Sequence, residues 1–133
     1  MTRRSQRENL FKLLFRVEFY APEDLKEQET LFLEELRQDS VREDTALQIA
    51  DKFERILERL PEIDESLGSR TEHWTTDRIG KAELTILRIA VYEILYDEDV
   101  PTGVAINEAV ELAKKFGQDA SYGFVNAVLA KFA

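Results

Sequence analysis

A chain of 133 residues with no cysteine and a formal net charge of −9 excludes disulfides, thiolate metal sites and cysteine nucleophiles together, and points to a reducing, cytosolic compartment. The length fits one domain, with room for two helical halves around a shared core, and a domain of this size buries roughly two-thirds of the surface its unfolded chain exposes. No apolar run reaches the roughly 18 residues of a membrane span, and the first residues lack the apolar centre of a signal peptide.

Nothing reads as strand: three prolines and five glycines are the only strong interruptions, and apolar residues recur at helical spacing. A first helix is expected over residues 4–20. Leu10, Leu13, Leu14 and Val17 supply its stripe, joined by Phe11 and Phe15, with Glu8 and Lys12 paired at i,i+4. Pro22 marks its end, and a strongly acidic second helix over 24–38 turns Leu25, Leu31, Phe32 and Leu36 inward. A third helix, 41–60, places Ala46, Ile49, Ala50, Phe53, Ile56, Leu57 and Leu60 on one side. Pro61 either stops it or opens a short fourth helix, 62–74, closed by Trp74 with Thr75, Thr76 and Asp77 as caps.

The fifth helix, 78–98, carries Leu84, Ile86, Leu87, Ile89, Val91, Ile94 and Leu95 around nearly its whole circumference, which places it in the middle of a bundle. Residues 97–99 and Pro101 end it. The sixth, 102–116, offers Ala105, Ala109 and Ala113 for close helix approach, and Gly117 is expected as a left-handed cap. A last helix, 119–132, turns Phe124, Val125, Val128, Leu129 and Phe132 inward. No internal repeat or long linker divides the chain.

An enzyme is not expected. His73 is the only histidine, the glycines are scattered rather than forming a phosphate loop, and no spacing suggests a metal or cofactor site. Charge is more informative. Residues 1–20 carry Arg3, Arg4, Arg7, Lys12 and Arg16 against two glutamates, and residues 112–133 carry three lysines against Asp119 alone. The negative charge therefore lies between them. If the two ends meet, they form a basic pole on an acidic body; solvated termini would give the same distribution.

Two groups of residues carry the functional argument. Arg3, Arg4 and Arg7 sit at the start of a helix, where the dipole disfavours cations and an external anion would relieve them. Near Gly117, Lys114, Lys115 and Phe116 precede the turn, and Asp119, Tyr122 and Phe124 follow it. Lysines beside aromatic rings suit single-stranded RNA, where charge tracks phosphates and rings stack on splayed bases. The spacing of Phe116 and Phe124 fits core packing as well, while Tyr122 reads as the exposed ring.

Taken in order, RRSQRENLFKLLF, TILRIAVYEIL, VPTGVAINEAVELAKKFG and FVNAVL resemble the NusB family over nearly the whole chain. The resemblance implies an all-α fold of about seven helices in two packed three-helix groups. It implies a non-enzymatic, cytoplasmic antitermination factor that pairs with NusE, a small-subunit ribosomal protein. The pair binds boxA, a single-stranded RNA element of nascent ribosomal RNA transcripts, and acts on the transcription elongation complex. By matching positions, Arg3, Arg4, Arg7, Phe116, Asp119, Tyr122 and Phe124 form the RNA surface, which Lys115 joins by its place beside the turn, and Phe15 and Glu83 face NusE. A homodimer that masks the RNA surface belongs to the alternative, scaffold reading, and no metal or cofactor is expected.

The chain departs from the family pattern in three places. Phe15 stands where tyrosine is common, Ala120 and Gly123 stand where charged residues occur, and the opening has fewer arginines than some relatives. The family domain also occurs ahead of a ribosomal-RNA cytosine methyltransferase, whose cofactor-binding sheet these residues do not contain. The alternative reading is a helical protein–protein scaffold, self-associating or not, without RNA affinity of its own.

Overall fold

The computed structural model describes residues 1–72 and 79–133. His73, Trp74 and the expected caps Thr75, Thr76 and Asp77 lie outside the described residues. Among the described residues there are six α-helices and no strand, in keeping with the all-α expectation. The chain divides into two compact units, Met1–Leu57 and Glu58–Ala133.

In the first unit, α1 (Arg3–Phe15) starts where the Thr2 hydroxyl accepts the Ser5 N–H at 3.0 Å. Leu10, Phe11, Leu13 and Leu14 form its buried stripe. The helix ends earlier than its pattern suggested, tightening to a 3₁₀ turn at Arg16–Glu18. There the Arg16 guanidinium donates to the Gln28 carbonyl at 3.2 Å and lies 5.1 Å from the centre of the Phe32 ring. A second 3₁₀ turn, Pro22–Asp24, leads into α2 (Leu25–Gln38).

The inward stripe of α2 runs through Glu29, Phe32 and Leu36. Steps of three and four residues from Leu36 exclude position 31, so Leu31 faces outward and a glutamate takes the inward place. Ser40 closes the helix at φ 63, the left-handed position glycine usually takes, and the Val41 N–H returns to the Leu36 carbonyl at 3.0 Å.

The third and fourth expected helices are one element, α3 (Glu43–Arg70), with Pro61 inside it. Proline has no N–H for the Leu57 carbonyl, and an interior proline costs a helix about 3 kcal/mol. The apolar stripe carries across it: Ile49, Phe53, Ile56, Ile63 and Leu67 are all buried, whereas Pro61 is exposed. Burial of that continuous stripe outweighs the local penalty, and the helix does not restart.

In the second unit, α4 (Lys81–Tyr96) packs against both α5 (Thr102–Phe116) and α6 (Ser121–Leu129). Every residue from 84 to 93 is buried, which gives α4 the central place its composition called for, although Leu95 at its end is exposed. Its buried Arg88 is satisfied by Asp64 of α3, through hydrogen bonds of 3.0 and 2.9 Å. Ala105, Ala109 and Ala113 are buried on α5 as their size predicted. A 3₁₀ turn, Ala130–Phe132, follows α6, where half-buried Phe132 lies 4.5 Å beneath the Arg70 guanidinium.

Candidate nucleic-acid interface

The α5–α6 hairpin is built around Gly117. It was expected in the left-handed region, yet its φ of −92° and ψ of −174° are extended backbone. Glycine is needed there for space. A Cβ at Gly117 would lie 2.6 Å from the Ser121 Cβ and 2.7 Å from the Ala113 carbonyl oxygen. The Ser121 hydroxyl accepts the Gln118 N–H at 2.8 Å, and the Ser121 N–H donates to the Gln118 carbonyl at 2.9 Å. The same hydroxyl donates to the Glu83 carboxylate, in the first turn of α4. This short connection is therefore closed on itself and anchored to a third helix.

The hairpin gathers all five candidate RNA residues of this unit, Lys115, Phe116, Asp119, Tyr122 and Phe124. Lys114 and Lys115 are exposed in the last turn of α5, the helix end that favours cations. The Lys114 ammonium lies 5.7 Å from the centre of the Tyr122 ring and 3.6 Å from Glu111, and Lys115 lies 5.7 Å from the centre of Phe116. Tyr122 is 48% exposed, as expected. Phe124 was expected inward but is 37% exposed: Val125, Val128 and Leu129 define the buried stripe of α6, and Phe124 stands at its edge. Asp119 is exposed in the connection, and Phe116 is half-buried.

The remaining candidates divide between the units. Arg3 and Arg4 are exposed and Arg7 half-buried at the start of α1, whose first turn holds no acidic residue. Half-buried Phe15 stacks on Phe11 at 5.5 Å and meets the ring of Phe19 edge-on at 5.0 Å. Phe19 is 58% exposed. Glu83, assigned by resemblance to a partner surface, is half-buried with its carboxylate engaged by Ser121.

Three residues of this geometry were missing from the expected site. Phe19 continues the four-residue spacing of Phe11 and Phe15 and was readable from it. Lys114 stands beside the turn in the sequence, but its proximity to Tyr122 depends on the path of the turn. Ser121 gave no signal, because a small hydroxyl acquires meaning only when Gly117 and Glu83 converge on it. Among the described residues, no group of three or more His, Asp or Glu side chains could hold a metal ion, and no helix is long and apolar enough to cross a membrane.

Comparison with known proteins covers the full chain. The family model described as "NusB family" matches residues 4–133. Transcription antitermination protein NusB of Agathobacter rectalis is 49% identical over 133 residues, covering 100% of both chains. The protein of the same name from Lachnoclostridium phytofermentans is 46% identical over 131 residues, 98% of each. The solved structure of T. maritima NusB superposes with a TM-score of 0.86 at 34% identity, covering 100% of this chain and 91% of that one. The solution structure of NusB from Aquifex aeolicus gives 0.75 at 26% identity, over 98% of this chain and 86% of that one. Fold, family model and full-length relatives agree: this chain belongs to the NusB family of transcription antitermination proteins.

Proposed function

We propose that the chain is a non-enzymatic, cytoplasmic RNA-binding factor that pairs with NusE and holds boxA RNA in nascent ribosomal RNA transcripts, serving the elongation complex. The observation that carries this reading is the α5–α6 hairpin, where exposed Tyr122 and Phe124 stand with the exposed ammonium groups of Lys114 and Lys115. Rings of this kind accept unstacked bases, and the lysines follow the backbone. In the other unit, Arg3, Arg4 and Arg7 supply guanidinium groups suited to phosphate oxygens. Phe15, with the open ring of Phe19 against it, supplies an apolar surface for the protein partner.

Titration of a boxA-like single-stranded RNA, with and without NusE, tests the reading. Binding that tightens with NusE and weakens with salt is the expected result. Absence of binding in both titrations at low salt overturns it.

Exposed Phe19, Tyr20 and Leu31 favour a second reading, a scaffold whose contacts are with protein alone. A homodimer that neither RNA nor NusE dissociates, with arginine substitutions silent toward RNA, would favour it. Dissociation on adding either would instead identify a masked RNA-binding form.

A further inference from the structure

The hydroxyl of Ser121 has no freedom left. It is buried, it accepts the Gln118 N–H at 2.8 Å, and it gives its own proton to Glu83. Glu83 reaches it from α4, and its carboxylate is folded back over the start of that helix: a Cβ on Gly80 would collide with Glu83 Oε2. Gly117 leaves room on the other side, since a Cβ there would press on Ser121 Cβ and Oγ at 2.6 and 2.7 Å. Two glycines thus clear the space in which one carboxylate and one hydroxyl meet. Tyr122 follows Ser121 directly, and the Lys114 ammonium near it leaves the other side of the same turn.

We infer that Ser121 and Glu83 form a latch that positions the α5–α6 turn for RNA, so that toward RNA both are positioning residues rather than contacts. This rests on the RNA-binding reading above. The latch fixes the direction in which Tyr122 leaves the turn, and a ring held in place loses less freedom when a base stacks on it. Removing the latch releases the turn without removing a ring or a cation.

The test uses the full chain with saturating NusE, so that partner affinity does not enter, and a boxA-like single-stranded RNA as probe. Ser121→Ala and Glu83→Ala should each weaken RNA binding about three- to tenfold, the cost of ordering one released side chain on binding. The double variant should be no weaker than either single one, because both substitutions break the same contact. Glu83→Gln keeps an acceptor for the Ser121 hydroxyl and should restore affinity. The salt slope should not change, because no phosphate contact is lost. Circular dichroism melts separate these effects from unfolding, and the Glu83→Gln rescue holds even if an alanine variant folds poorly. Parent affinity in Ser121→Ala and Glu83→Ala, with Tyr122→Ala weakened, overturns the latch and leaves the RNA surface standing. Fully additive losses also overturn it. Parent affinity in Tyr122→Ala overturns the RNA surface itself, and the latch with it.

Discussion

The Lys114 ammonium and the Tyr122 ring, on opposite sides of the α5–α6 turn, stand 5.7 Å apart from nitrogen to ring centre. The lysine also lies 3.6 Å from Glu111, so its charge is held over the turn from two directions. At this distance the ammonium is attracted by the ring face, and both remain open to solvent. Tyr122→Ala is expected to weaken RNA binding by about 1–3 kcal/mol, the contribution of one stacked base. Thermal stability should barely change, since the ring is exposed. Fluorescence titration and a melting curve on the same sample check both halves.

Simultaneous replacement of Arg3, Arg4 and Arg7 by alanine is expected to act differently. These groups suit phosphate rather than bases, so affinity should fall for every RNA sequence alike. If each neutralises one phosphate, the dependence of log K on log salt should flatten by about 2, at roughly 0.7 per phosphate on a single strand. Titrations at several salt concentrations measure this slope directly. An unchanged slope would remove the arginines from the interface.

The two units differ in how much the sequence reveals. The stripe of α1 was legible because burial repeats at helical spacing, and α4 was legible because its apolar residues cover nearly the whole circumference. Pro61 misled because its local cost is visible in the sequence, whereas the buried Ile56, Ile63 and Leu67 that overcome it act through packing. Gly117 was recognised as a necessary glycine for the wrong reason: the crowding by Ser121 comes from the returning chain, while the left-handed cap occurs at Ser40. Lys115, Phe116, Asp119, Tyr122 and Phe124 were readable as a group because they cluster along the chain. The tie from Ser121 to Glu83 spans a sequence separation of 38 and has no local signature.

Glu29 gives the first unit a pH dependence. Its side chain is buried between α2 and α3, and burial first, then its hydrogen bond with Glu54, pushes its pKa up to about 7; Lys26 opposes the shift. A carboxyl raised in the folded state binds protons there that the unfolded chain has already released. Its contribution is therefore complete below the ordinary value of 4.5 and is lost as pH rises toward about 7. Glu54 is shifted the other way, so its own loss falls below 4.5 and outside this window. Urea midpoints should be higher near pH 5 than near pH 8. In Glu29→Gln that difference should shrink, because the amide stays neutral throughout.

Gly117 and Gly123 should respond oppositely to the same substitution. A Cβ at Gly123 meets nothing within 4 Å, and the residue lies inside α6. Gly123→Ala is therefore expected to stabilise the protein by about 0.5–1 kcal/mol, by restricting the unfolded chain. Gly117→Ala should destabilise by about 1–3 kcal/mol, because one of the atoms it meets is the Ala113 carbonyl oxygen of a packed helix, which cannot swing aside. Gly117→Asn separates the two explanations for this glycine. Asparagine tolerates the left-handed region, so it would be nearly silent if conformation were the requirement. With backbone already extended at Gly117, the requirement is space, and asparagine should cost at least as much as alanine in a denaturation series.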